Sequence, residues 1–214
     1  MASMLIKLPQ LPTAERYRWM TRVVVPRPVA WTLTENDGGS LNLAPFSYFN
    51  ALSTSPPLIG VSFSPPTGRL SSNKGAKDTL ANIRKKRRFV VHIAPMSLLQ
   101  ELNKSAATLP YDESELSLIC LPTEEFGDFP TPRIVGCPVA MACELHREIN
   151  ISDNNQVPQI LVLGKVQLLF IDEKVLTTDE KGRQTVNTEA MDPVARLADG
   201  HYAGLSKLTR LKEA

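Results

Sequence analysis

Apolar residues in this chain fall into short runs separated by turn formers. Residues 23–25, 29–34 and 58–63 are β-branched or apolar stretches of this kind, and the pattern predicts strands. Between 29–34 and 40–43 lies Asn36-Asp37-Gly38-Gly39. These residues tolerate the positive φ of a tight turn, so the two runs are expected to pair as an antiparallel hairpin. The periodicity then changes. Residues 78–88 place Leu80 and Ile83 on one helical face, with Asp78 as candidate N-cap and Lys85, Lys86, Arg87 and Arg88 at the end where the helix dipole favours cations. Those four basic residues also have the look of a nucleic-acid or localisation patch, but a solvated helix end accounts for them more simply. A strand over 89–94 follows. Ser97 and Gln100 make a capping box ahead of Leu98, Leu99 and Leu102, which predicts a second short helix.

Residues 111–138 carry Pro122, Pro130, Pro132 and Pro138 and read as loop. Over 139–146, Val139, Met141, Cys143 and Leu145 alternate with Ala140, Ala142, Glu144 and His146, the period of a half-buried strand. Residues 160–171 are mostly apolar around Gly164, which predicts a more buried strand bent at the glycine, with Asn154-Asn155 turning the chain before it. Strands dominate and helices are short. The pattern therefore predicts a mainly β fold, a small antiparallel barrel with appended helices, formed as one domain over 1–214.

Composition narrows the partners more than the fold. The 214 residues are 43% apolar, enough for an ordinary core, which argues against disorder or a fibrous repeat. Proline, at 17 against 11 glycines, exceeds its usual share of about 5%. A net charge of +2 supplies no broad field for nucleic acid or an anionic membrane, so neither is expected as a partner. Cys120, Cys137 and Cys143 have no CxxC spacing and suggest neither a disulfide framework nor a metal site. Apolar runs are too short to span a bilayer and no leader pattern opens the chain. A reducing cytoplasm is the expected setting.

No GxSxG, HExxH or adjacent Cys and His marks a hydrolase, and structural or surface roles are the simpler reading for His92 and His146. Lys77-Asp78-Thr79 stands where a helix begins, so first-turn amides, an ammonium and a hydroxyl could converge on a phosphate. An ordinary capped helix explains the same residues. Residues 42–51 mix amides, hydroxyls and aromatics around Pro45, which interrupts strand pairing and suits a planar heteroaromatic ring with polar edges. A strand and turn with the aromatics in the core is the competing account, and the residues alone favour it slightly.

The ordered set of motifs goes further. Arg27-Pro28-Val29-Ala30-Trp31, then residues 42–50 (NLAPFSYFN), Ser55-Pro56-Pro57, and Lys77-Asp78-Thr79-Leu80 with Asn82-Ile83 resemble the flavin reductase-like, FMN-binding split-barrel proteins that include flavoredoxin. The resemblance continues through Phe89-Val90-Val91-His92, Pro138-Val139-Ala140, Leu163-Gly164-Lys165-Val166, and Pro193-Val194-Ala195-Arg196-Leu197 before His201-Tyr202. It implies a six-stranded antiparallel split β-barrel with a core over about 20–205, a homodimer, and FMN near the subunit interface. It also implies that Trp31, Pro45, Phe46, Ser47, Tyr48, Phe49 and Asn50 surround the isoalloxazine and ribityl chain. Ser62 and Ser64 would follow that chain, Lys77, Asp78 and Thr79 would hold the phosphate, and Arg196 and His201 would reach the flavin from the late segment. His92 stands where relatives usually carry Asn, and Ala198-Asp199 where they often carry a glycine pair.

The activity implied is an NAD(P)H-dependent flavin reductase, with reduced flavin passed to a monooxygenase or other electron acceptor. Hydride transfer from NADH or NADPH to flavin is cofactor chemistry, so no catalytic acid or base is assigned. GxGxxG is absent, so nicotinamide would dock transiently on the flavin face. An FMN electron carrier without nicotinamide oxidation and a non-redox ligand-binding barrel are the alternatives.

Overall fold

A computed structural model describes residues 3–64, 77–152, 159–205 and 208–209. The expected turn at Asn154-Asn155 lies outside the described residues. In chain order the elements are α1 (Thr13–Val23), β1 (Arg27–Pro28), β2 (Ala30–Glu35), β3 (Leu41–Phe46), β4 (Phe49–Thr54), β5 (Pro57–Phe63), α2 (Asp78–Lys86), β6 (Arg88–Ile93) and α3 (Leu99–Lys104). There follow β7 (Thr123–Phe126), β8 (Phe129–Ile134), β9 (Val139–Asn150), β10 (Ile160–Ile171), β11 (Leu176–Thr178), β12 (Gln184–Val186), α4 (Thr188–Met191), β13 (Ala195–Arg196) and β14 (Tyr202–Ala203).

Seven strands form the main antiparallel sheet, in the order β3-β2-β6-β9-β10-β5-β4. That is one more than the six implied by the resemblance, within the same mainly β split-barrel class. The two edge strands, β3 and β4, are consecutive in the chain, with only Ser47 and Tyr48 between them. Three Cα steps cover at most about 11 Å, so the sheet has to curl until its edges nearly meet. They approach without pairing along their length. The β4–β5 pairing runs on into the crossing, where the Ser62 N–H donates to the Tyr48 carbonyl at 2.9 Å.

The strand period of two feeds two cores. Trp31, Leu33, Val90, Ala140 and Ala142 enter one cluster with Leu102 of α3 and Phe126 and Ile134 of the β7–β8 hairpin. Ala30, Phe89, Val91, Cys143 and Leu145 point the other way, into a cluster with Val61, Phe63 and Val162 and with Leu80 and Ile83 of α2. Gly164 lies at a register shift between β9 and β10, as expected of a bent strand, and an added Cβ would come within 2.5 Å of Phe89 Cζ. The glycine is what lets that ring lie against the strand.

Several local expectations are corrected. Residues 23–25 are no strand: α1 ends at Val23, and its mostly polar sequence, with no residue buried, holds no contiguous apolar run to mark it. The stretch read as loop holds the β7–β8 hairpin, where Pro130 and Pro132 are tolerated because β8 pairs with β7 alone. Ala140 and Ala142 are buried rather than facing solvent, since the hairpin layer covers that face of β9. Asp78 is the first residue of α2, with Lys77 at the N-cap and no side chain bonded there; the helix stops at Lys86 because Arg87 is left-handed, φ 62°. Ser97 makes no cap either, as α3 starts from Leu98 through a 3-10 turn at Met96–Leu98. Among the described residues no helix is long and apolar enough to cross a membrane.

Candidate functional site

The seam between β3 and β4 is organised by Arg27. Its guanidinium is buried, at 6% exposure, and Nη1 donates to the carbonyls of Thr21 and Val24 at 2.7 Å each, fastening the end of α1. Nη2 reaches the Leu197 carbonyl at 3.2 Å, and Nε lies 3.4 Å from Ser47 Oγ. One side chain thus ties α1, the late segment and the crossing between the sheet edges. Its place beside Ser47 was not anticipated, because its partners lie as far as 170 residues away in sequence.

Two clefts flank this arginine, and both are lined by Arg27 and Ser47. The larger, of about 470 Å³, is bounded by Pro45, Arg18, Arg22, Arg196 and Tyr202. The other, of about 340 Å³, runs along Tyr48, Phe49, Asn50 and Ser62, with Met20, Val24 and Leu52 beside it. The expected ligand-facing residues of the seam are therefore gathered, but on two sides of one crossing. Burial raises the pKa of the Tyr48 hydroxyl, so it stays a neutral donor at physiological pH.

Phe46 points inward from β3, packed on Phe63 with ring centroids 4.6 Å apart. Lys77 Nζ lies 5.3 Å from the Phe46 ring centroid, at the uncapped start of α2. Burial lowers the Lys77 pKa, and among the described residues it has no ion-pair partner. Thr79 is buried in a polar network: Asn42 Nδ2 donates to Thr79 Oγ1 at 2.9 Å and to Thr34 Oγ1 at 3.2 Å, while Asn82 Nδ2 donates to Thr34 Oγ1 at 3.1 Å. Among the described residues the Thr79 hydroxyl proton has no acceptor side chain. An anion is what a desolvated ammonium, first-turn amides and that hydroxyl would fit. Ser64 is exposed and its hydroxyl donates to Gln159 Oε1 at 3.3 Å.

Other expected residues stand elsewhere. Trp31 is fully buried, its indole N–H donating to Ser105 Oγ at 2.8 Å, and it lines neither cleft. His201 is exposed, with Nδ1 3.1 Å from the Ala198 carbonyl. Arg196 lies in the larger cleft, Cζ 4.4 Å above the Tyr202 ring. Glu115 went unnoticed in the sequence: it is buried, its carboxylate accepts the Leu43 N–H at 2.9 Å on the open edge of β3, and burial pushes its pKa up to about 7. Among the described residues no cluster of His, Cys, Asp and Glu is fit to hold a metal ion.

Known proteins share this fold. The family model of the flavin reductase like domain matches residues 20–187. The uncharacterized protein YwrF of Bacillus subtilis is 35% identical over 199 residues, 92% of this chain and 93% of its own. Nitrilotriacetate monooxygenase component B from Bacillus cereus superposes with a TM-score of 0.87 at 33% identity, over 99% of this chain and 100% of that one. The 2-nitrobenzoate 2-nitroreductase NbaA of Pseudomonas fluorescens does so at 0.82 and 25% identity, over 99% and 96%.

Proposed function

The chain belongs to the flavin reductase-like domain family, and from that premise we propose that it is an NAD(P)H-dependent flavin reductase that holds FMN at the seam of its barrel. The observation that carries this reading is Lys77: a desolvated cation without an ion-pair partner among the described residues, at an uncapped helix start. Lys77, the first-turn amides and the Thr79 hydroxyl would hold the phosphate. Ser62 and the crossing from Ser47 to Asn50 would follow the ribityl chain and the ring along the smaller cleft. Bound flavin would supply the hydride chemistry; the protein's part is to bind, orient and exclude water.

A homodimer fits the surface. Tyr17, Met20, Val23, Val24, Tyr48 and Leu52 are all exposed apolar residues, and Met20, Val24, Tyr48 and Leu52 border the smaller cleft. A second copy covering them would close that cleft. Component B of nitrilotriacetate monooxygenase is by name one part of a monooxygenase, which supports a separate oxygenase or other electron acceptor as partner here.

Anaerobic titration of the FMN-loaded protein tests the reaction. NADH or NADPH should bleach the flavin absorption. Bound flavin that neither nicotinamide reduces would make the protein an electron carrier instead, and failure to bind FMN at all would remove the flavoprotein reading.

A further inference from the structure

We propose that the larger cleft, walled by Arg18, Arg27 and Arg196, is a binding site for an organic anion with an apolar body, distinct from the phosphate position at α2. Charge is the first argument. Four arginines line this cleft against one acid, Asp199, and Asp199 is already paired with Arg22 at 2.6 Å. The remaining three carry a local positive charge exceeding the net +2 of the whole chain.

The second argument is the state of those arginines. Arg27 is buried, yet its hydrogen bonds go to the neutral carbonyls of Thr21, Val24 and Leu197, and no carboxylate among the described residues pairs with it. Carbonyls orient a guanidinium without cancelling its charge. A desolvated cation left in that state is stabilised by an anion arriving within reach. Arg196 lies with Cζ 4.4 Å over the Tyr202 ring, a contact that leaves its charge uncancelled, and a guanidinium fork can hold a carboxylate or phosphate bidentately.

The third argument is shape and place. Val29, Leu102 and Leu197 give the cleft apolar walls, and its volume of about 470 Å³ is in the range that encloses small organic ligands. Because Arg27 and Ser47 border both clefts, an anion here would lie beside the segment assigned to the flavin. That the occupant exchanges electrons with flavin rests on the function proposed above; anion binding does not.

Isothermal titration of the purified full chain tests the site, with benzoate as the aromatic carboxylate and NADH as the nucleotide phosphate. At least one should bind, and Arg196→Gln and Arg18→Gln should each weaken that probe, Arg196→Gln by about tenfold or more, the loss of one charge-assisted contact. Binding should fall as salt rises. FMN affinity, measured separately in Arg18→Gln, should change by less than about twofold. Benzoate alone would identify a carboxylate substrate, and NADH alone the phosphates of the nicotinamide donor. The proposal is overturned if neither probe binds, if both variants bind as the wild type does, or if FMN affinity falls in parallel in Arg18→Gln, which would make the cleft part of the flavin site. Wild-type FMN binding is read on its own, so failure of the flavin assignment is distinguishable from failure of this one.

Discussion

His92 Nε2 accepts the backbone N–H of Ile134 at 2.9 Å, deep between β6 and β8. Because that nitrogen accepts, the ring proton sits on Nδ1 and is donated to the Trp31 carbonyl at 3.1 Å. The neutral imidazole thus splices β2, β6 and the hairpin layer, and burial lowers its pKa to about 4. The unfolded chain binds a proton near pH 6.5 that the folded protein refuses until about pH 4. Stability from this residue is full above pH 6.5 and is lost as pH falls toward 4, by up to roughly 3 kcal/mol. His92→Ala should cost about 2–4 kcal/mol at pH 7.5, since it leaves a cavity and two unpaired backbone groups. Urea denaturation at pH 7.5 measures it; a loss below about 1 kcal/mol would contradict this account.

Arg27→Met should loosen the seam. The carbonyls of Thr21, Val24 and Leu197 lose their shared donor, with an expected cost of about 2–4 kcal/mol. Hydrogen exchange should accelerate in the C-terminal turn of α1 and around Leu197 while β6 and β9 stay protected. Arg27→Lys should not restore protection, because an ammonium cannot span the three carbonyls from one plane.

Lys77→Ala should weaken FMN by about 10- to 100-fold, the equivalent of one charge-assisted contact. Riboflavin has no phosphate, so its affinity should stay unchanged. Equal losses for the two flavins, measured by fluorescence quenching, would displace the phosphate from α2.

The contrast between what was legible and what was not follows from locality. The β2–β3 hairpin could be read because Asn36 to Gly39 and the flanking apolar runs are contiguous, and Gly164 because a glycine in an apolar strand signals a bend. α1 could not, because residues 13–23 are mostly polar and hold no contiguous apolar run; Tyr17, Met20 and Val24 do recur at helical spacing, but they face solvent instead of a core. β8 was hidden by prolines that a one-sided strand tolerates. Phe49 and Asn50 were expected at a ligand and do line a cleft, whereas Trp31 was expected there and is core: both are aromatic-rich strand positions, and only the curl of the sheet decides which faces out. The roles of Arg27 and Glu115 depend on contacts 170 and 72 residues away, beyond any local pattern.

Glu115 and His92 should together flatten the pH dependence of stability. Glu115 caps the Leu43 N–H on the edge of β3, and burial, with Asp78 adding repulsion, raises its pKa from 4.5 to about 7. The folded state therefore holds a proton there that the unfolded chain releases near pH 4.5. Its contribution is full below that pH and is lost as pH rises through 7. The His92 contribution changes in the opposite sense between pH 4 and 6.5, so the two slopes oppose each other over about pH 4.5–6.5. Glu115→Gln keeps an acceptor for Leu43 and removes the ionisation. It should add up to about 3 kcal/mol relative to wild type at pH 8 and little at pH 4.5. His92→Asn removes the opposing slope, so that variant should lose stability steadily from pH 4.5 to 7. Denaturation of the wild type and both variants across this range decides the matter: parallel curves for all three would show that neither buried group titrates differently on folding.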